Sequence, residues 1–239
     1  MRSTLQNFDK YNRITSFIAF LFIFNSVYCQ GTVYDDFDGN KSLNYGERTG
    51  VLDSTSKNPG ADNINSSNKC ALYVRNKGKK FDNIKMELPR RMSDVSSYAT
   101  YLGVPPKLKM KVYTDAPAGT LVEILLGSRS GNNDYPAGTN SQYQAYTTKT
   151  NAWEELEFKF SQIPQGSETS VHQIDQITLL FNPNSSTSDT YYFDELTCPP
   201  LVITKTDIVP PIDITKNQET NKKNENNNKK NSPKKEDGK

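Results

Sequence analysis

Two stretches alternate with period two and set the character of the chain. In Lys107-Leu108-Lys109-Met110-Lys111-Val112 the lysines face water while Leu108, Met110 and Val112 face a core; in Glu155-Leu156-Glu157-Phe158-Lys159-Phe160 the inward set is Leu156, Phe158 and Phe160. Both read as strands with one buried face, as antiparallel sheets have. Strand candidates recur at short intervals with turn residues between them: Thr32 to Phe37, Asn44 to Asp53, Lys69 to Arg75, Phe81 to Leu88, Lys107 to Tyr113, Thr120 to Leu126, Ser141 to Thr148, Trp153 to Phe160, Ile174 to Phe181 and Thr190 to Thr197. Only Met92 to Leu102 has a claim to be helical, and it is short. The pattern predicts an all-β chain folded as a two-sheet antiparallel sandwich.

The last candidate, Asp189 to Cys198, carries one carboxylate inside an aromatic run. Alternation places Tyr192, Asp194 and Leu196 on one face and Tyr191, Phe193 and Glu195 on the other, and Pro199-Pro200 ends the pairing because proline has no N–H for a ladder. An ionised carboxylate among such apolar groups is costly unless it is paired or bound to a metal. The first strand ends in a second acidic cluster, Tyr34-Asp35-Asp36-Phe37-Asp38. First and last strands are often neighbours in sandwiches, so the two clusters are expected to meet, and converging oxygen ligands suit Ca²⁺.

The pieces Asn68 to Arg75, Lys109 to Tyr113, Asn151 to Phe158 and Asp189 to Leu196 together resemble, in order, the galactose-binding-like jelly-roll carbohydrate-binding modules of secreted bacterial carbohydrate-active proteins. The resemblance spans roughly Val33 to Cys198. It implies a jelly-roll sandwich with a structural calcium held by Asp194 and by Asp36 or Asp38. Glu195 stands where a second Asp is common in that family.

Charge and composition divide the chain into three parts: a signal peptide over 1–29, a β-sandwich over 30–200, and a linker with a disordered Asn/Lys-rich tail over 201–239. The first has a basic start (Arg2, Lys10, Arg13) and an apolar core, Phe17 to Phe24, too short to span a bilayer. Val27 and Cys29 suit a cleavage site that leaves Gln30 first; a lipidated Cys29 is the alternative, against which bulky Tyr28 stands. The expected destination is outside the cell, at its surface or in a periplasm, with no membrane segment after cleavage. The run from Thr215 to Lys239 has no aliphatic or aromatic side chain to offset the entropy of ordering it. It is either a solubilising tail or a contact for an acidic surface. The formal charge is +2 overall, and both ends are basic, so the body between them is mildly acidic. That argues against nucleic acid as a partner.

Without the signal segment two cysteines remain, Cys70 and Cys198, expected either as a disulfide in an oxidising compartment or as two buried thiols. A catalytic reading, as a polysaccharide hydrolase or lyase, has little to stand on: the single histidine, His172, has no Ser or Cys motif beside it, and Glu155 and Glu157 alternate beside a lysine without a third acid in register. For ligand binding, Tyr143 and Ala145 suit the core, which leaves Gln142, Gln144 and Tyr146 on the other face of their strand. Amides with an aromatic plate suit a sugar, and an ordinary solvated face is the alternative. Trp153, out of phase with its strand, is an exposed platform or a displaced core residue, and Tyr135 supplies a wall or stiffens a turn. The reading is a secreted, non-catalytic module binding a polysaccharide or cell-surface glycan; a structural or adhesive sandwich without a sugar site is the alternative.

Overall fold

The computed structural model describes residues 31–100, 105–131 and 135–203; the expected signal peptide, and the tail from Thr204, lie outside them. The chain divides into two units, Met1–Val202 and Ile203–Lys239. The described strands all lie in the first: β1 (Thr32–Val33), β2 (Asn44–Arg48), β3 (Val51–Lys57), β4 (Lys69–Val74), β5 (Ile84–Glu87), β6 (Leu108–Thr114), β7 (Leu121–Gly127), β8 (Thr139–Tyr146), β9 (Glu154–Gln162), β10 (Gln176–Phe181) and β11 (Thr190–Cys198). Where a short helix was expected there is one 3₁₀ turn, Val95–Ser97.

Every strand pairing is antiparallel. One sheet runs β3-β4-β11-β6-β9, with β1 on the end of β11, and the other runs β2-β5-β10-β7-β8-β9. The strand β9 belongs to both. Its residues Glu154 to Phe158 pair with β6, whereas Lys159, Phe160 and Gln162 pair with β8, so one continuous strand closes the sandwich along one side. The all-β two-sheet sandwich expected from the alternation is present, with the jelly-roll architecture that the resemblance implies.

For β6, β8 and β9 the inner faces are those the period-two reading assigned. Leu108, Met110, Val112, Leu156 and Phe158 from one sheet are buried against Val122, Ile124, Leu126, Tyr143, Ile177 and Leu179 from the other. Aromatic rings bridge the layers: Phe181 of β10 stacks on Tyr191 of β11 with centroids 4.3 Å apart and lies 5.8 Å from Phe193. On the outer face of the first sheet the alternating charges pair across strands. Lys107 meets Glu157, Lys109 Nζ lies 2.8 Å from Glu155, and Lys111 Nζ lies 2.6 Å from Glu195.

Three expectations are corrected. The single strand drawn over Asn44 to Asp53 is two, β2 and β3, in different sheets. The chain turns between them at Thr49-Gly50, where a Cβ on Gly50 would lie 2.5 Å from the Val74 carbonyl oxygen and 2.6 Å from the Tyr73 ring. Only glycine permits that approach. In β11 the alternation does not hold throughout: Tyr191 and Phe193 are buried, then Leu196 and Cys198. A register shift between Asp194 and Thr197, with Glu195 at φ 49°, inserts an extra residue and reverses the phase.

The third correction concerns the cysteines. Both Cys70 and Cys198 are free and buried. The β4–β11 register runs from Val74↔Thr190 to Ala71↔Phe193, so Cys70 continues it to a place near Asp194. Cys198 lies four positions further on, roughly 13 Å along a strand rising about 3.3 Å per residue, beyond the ~7 Å that a disulfide spans. Thiol titration in denaturant without reductant is therefore expected to label both residues; recovery of a linked Cys70–Cys198 peptide contradicts this register.

Candidate functional site

The central strand β7 reads Leu121-Val122-Glu123-Ile124-Leu125-Leu126-Gly127, with Val122, Ile124 and Leu126 in the core. Glu123 and Leu125 must then point away from it, yet they are only 8% and 9% exposed. Leu180 on β10 and Gln142 on β8, which share that outer face, are shielded too. The face is concave. A cleft of about 570 Å³ lies over it, with Lys85, Thr178, Leu180, Glu123, Leu125 and Gln142 among the lining residues. Phe81 precedes β5 and Asn184 follows β10, which the antiparallel register brings to one end; Tyr135, before β8, stands at the other. Both rings are exposed, Phe81 by 62% and Tyr135 by 58%.

Buried polar groups hold the ends in place. The guanidinium of Arg75 donates to Ser185 Oγ at 2.8 Å, Thr187 Oγ1 at 2.9 Å and the Thr187 carbonyl at 3.0 Å, and its other nitrogen reaches the Lys80 carbonyl at 3.4 Å. It thereby ties the loop after β10 to the turn that carries Phe81. Asp82, fully buried beside Phe81, accepts from Thr49 Oγ1 and from the Asn76 amide. At the other end Asn140 Nδ2 donates to the Thr169 carbonyl at 2.7 Å and the Glu168 N–H to the Ala137 carbonyl at 3.0 Å, fixing the segment that follows Tyr135.

The floor carries a polar row across three strands. Glu123 Oε2 accepts from Gln142 Nε2 at 2.5 Å and from Gln144 Nε2 at 2.8 Å, and Gln142 Oε1 accepts from Gln162 Nε2 at 2.9 Å. Lys85 is held by Glu47 at 2.7 Å. The amide nitrogens therefore point at protein, and the row offers acceptor oxygens beside apolar Leu125 and Leu180. That combination takes hydroxyl donors and a partly apolar ring face.

The outward placing of Gln142, Gln144 and Tyr146 agrees with the sequence reading, and the Gln142↔Leu125, Gln144↔Glu123 and Tyr146↔Leu121 register aligns them with the outer positions of β7. Gln142 and Tyr135 line the cleft; Gln144 and Tyr146 line a neighbouring groove of about 920 Å³. Trp153 is corrected: it is 1% exposed, packs edge-on against Tyr113 at 5.9 Å and donates from Nε1 to Asn58 Oδ1 at 3.0 Å. The segment from Asn58 covers it, so it is a packing residue and not a platform. His172 is exposed and outside the cleft lining.

The acidic residues expected to share a cation lie apart in their bonding. Asp36 Oδ1 accepts the N–H groups of Asp38, Gly39 and Asn40 within its own turn. Asp38 Oδ2 accepts the Asn68 N–H at 3.0 Å. Asp194 is fully buried, accepts from Asn65 Nδ2 at 3.0 Å and from the Glu195 N–H at 2.8 Å, and burial pushes its carboxyl up to about 6 against those donors. Among the described residues no group of three or more His, Cys, Asp or Glu is placed to hold a metal. After burial itself, the charges of Asp194, Asp38 and Asp53 are the causes that raise the Cys70 thiol to about 12.

Sequence reasoning missed Glu123, Lys85 and Phe81. Glu123 had a legible signal, a lone carboxylate in the apolar run Leu121 to Leu126; Phe81 had none, because a loop aromatic before a strand reads as part of that strand.

No family model matches the sequence, and no curated protein does. Among solved structures the chain is similar to a family 11 carbohydrate-binding module of a cellulosomal cellulase from Clostridium thermocellum, at 16% identity and a TM-score of 0.43 over 72% of this chain and 96% of that one. It is also similar to a family 30 carbohydrate-binding module, at 13% identity and a TM-score of 0.38 over 74% and 86%. A third match is an exo-β-agarase, at 8% identity and a TM-score of 0.44 over 74% of this chain and 25% of that one. At these values the likeness assigns no ligand, and function is read from the cleft itself.

Proposed function

We propose that this chain is an exported, non-catalytic glycan-binding module whose site is the concave outer face of β5, β10, β7 and β8. The observation that carries the reading is the shielding of Glu123, Leu125, Leu180 and Gln142 on a face over which the described residues form no second layer. Hydroxyls of a sugar donate to Glu123 and to the amide oxygens, its apolar face lies on Leu125 and Leu180, and the exposed rings of Phe81 and Tyr135 stack on units at either end. The export reading rests on the basic and apolar pattern of residues 1–29. Retention on a panel of insoluble cellulose, agarose, xylan and soluble β-1,3-1,4-glucan tests it. Tyr135→Ala is expected to weaken binding to the retained polysaccharide about tenfold, or ~1.4 kcal/mol, with an unchanged melting temperature because the ring is exposed. Failure to bind any glycan contradicts the reading and leaves a structural or adhesive sandwich.

The same proposal includes a structural Ca²⁺ at Asp194, with Asp38 and backbone oxygens of the 58–68 segment as further ligands and Asp36 left to its own turn. Support comes from a fully buried carboxylate whose charge, like that of Asp38, acts on the Cys70 thiol. A bound cation favours the ionised form that burial disfavours. The pH dependence follows in sign. A carboxyl raised to about 6 contributes stability while protonated, below its unfolded value of 3.8, and that contribution is lost as pH rises through about 6. Calcium opposes this loss, because only the folded form binds it. In chelator the melting temperature is expected to fall as pH rises through about 6, added calcium to restore it at neutral pH, and Asp194→Asn to abolish both responses. A melting temperature indifferent to calcium and chelator at neutral pH contradicts the cation.

A further inference from the structure

Beside the cleft, the sandwich has a seam. The β8–β9 pairing ends at Gln144↔Lys159; from Phe158 back to Glu154, β9 pairs with β6 in the other sheet. Past Gln144, β8 therefore continues through Ala145 to Tyr146 without β9 beside it in the ladder. The groove of about 920 Å³ lies at this divergence, with Gln144 and Tyr146 on one side, Glu157 and Lys159 on the other, and Lys149 and Ile64 also in its lining. Tyr146 is 57% exposed.

Cleft and groove meet at one group. Glu123, in the cleft lining, accepts on the same oxygen from Gln142, which lines the cleft, and from Gln144, which lines the groove. These paired side chains on neighbouring strands link the lining of the two hollows. Like the cleft, the groove joins an exposed ring to polar and charged side chains with a modest apolar floor from Ala145 and Leu156. A ligand long enough to leave the cleft across β8 meets Tyr146 next.

We propose that this seam is a second sugar subsite, continuous with the cleft, in which Tyr146 is the stacking platform and the occupant is the next part of the same glycan chain. The inference rests on the glycan reading of the cleft. It makes the protein a binder of the interior of long chains, because a short fragment fills the cleft alone and a long one fills both. The groove is formed by the handover of β9 between sheets, so it exists before ligand arrives.

The test is affinity as a function of chain length, measured by calorimetry on the unsubstituted protein with fragments of two to eight sugar units cut from whichever polysaccharide of the panel is retained. Affinity is expected to rise with length until both hollows are filled. Tyr146→Ala is expected to remove that rise, weakening the longest fragments roughly fivefold to tenfold, in line with one stacked ring, and to leave the shortest unchanged. Lys159→Ala, on the opposite wall, serves as a second variant with the same length-dependent readout should Tyr146→Ala fold poorly. Equal affinity of both variants and the unsubstituted protein for every length overturns the subsite while Tyr135→Ala still reports on the cleft. An equal loss at all lengths also overturns it, because Tyr146 would then belong to the cleft. No retention on any polysaccharide overturns the cleft reading and this inference with it.

Discussion

The passage of β9 from one sheet to the other is the constraint on which the molecule depends. A strand that pairs with β8 through Lys159 to Gln162 and with β6 through Glu154 to Phe158 joins both sheets covalently along one side. It cannot satisfy both ladders without drawing the sheets together there and parting from β8 beyond Gln144. The inward set Leu156, Phe158 and Phe160 stays in phase through this transfer, and Phe160 meets Tyr143 edge-on at 5.7 Å across the β8 junction. The carboxylate of Glu154 fixes the start of β9 by accepting the N–H groups of Thr148 and Lys149, which holds the β8–β9 connection closed.

With one side closed, the two outer faces have different fates. On the first sheet the segment beginning at Asn58 covers Trp153 and Asp194, and the remaining surface is a ladder of lysines and glutamates that satisfy one another. Exposed pairs of this kind contribute little to stability, but they leave few unpaired charges for a ligand. On the second sheet no segment of the described residues covers the face. Its ends are raised instead, by loops that Arg75 and Asn140 hold through buried hydrogen bonds, and the hollow between them keeps Glu123 and Leu125 from bulk water. Placing a carboxylate there is tolerable because two amides donate to it.

Much of this was legible where one face of a strand meets water and the other a core. The phases of β6, β8 and β9 followed directly from Lys107 to Val112, Tyr143 and Ala145, and Leu156 to Phe160, because period-two alternation is a local property. What depended on distant approach was not. Gly50 breaks a strand in two because Val74 and Tyr73 come close to it, and nothing in Asn44 to Asp53 announces those neighbours. The phase of β11 reverses at Glu195, a non-glycine residue at positive φ that sequence does not mark as a bulge. Trp153 was ambiguous for the same reason: its cover comes from Asn58, far earlier in the chain. The candidate site was half visible, through Gln142, Gln144, Tyr146 and Tyr135, while Glu123, a lone carboxylate in an apolar run, carried a signal that was not read as part of a site.

The central claim is that ligand binds the concave face of the second sheet. Backbone amide NMR titration with a soluble fragment of the retained polysaccharide tests it most directly. Shifts concentrated at Lys85, Glu123, Gln142 and Thr178, with Lys107 to Lys111 of the first-sheet ladder silent, are the expected result. Shifts confined to that ladder, or an unperturbed cleft at saturating fragment, contradict the account.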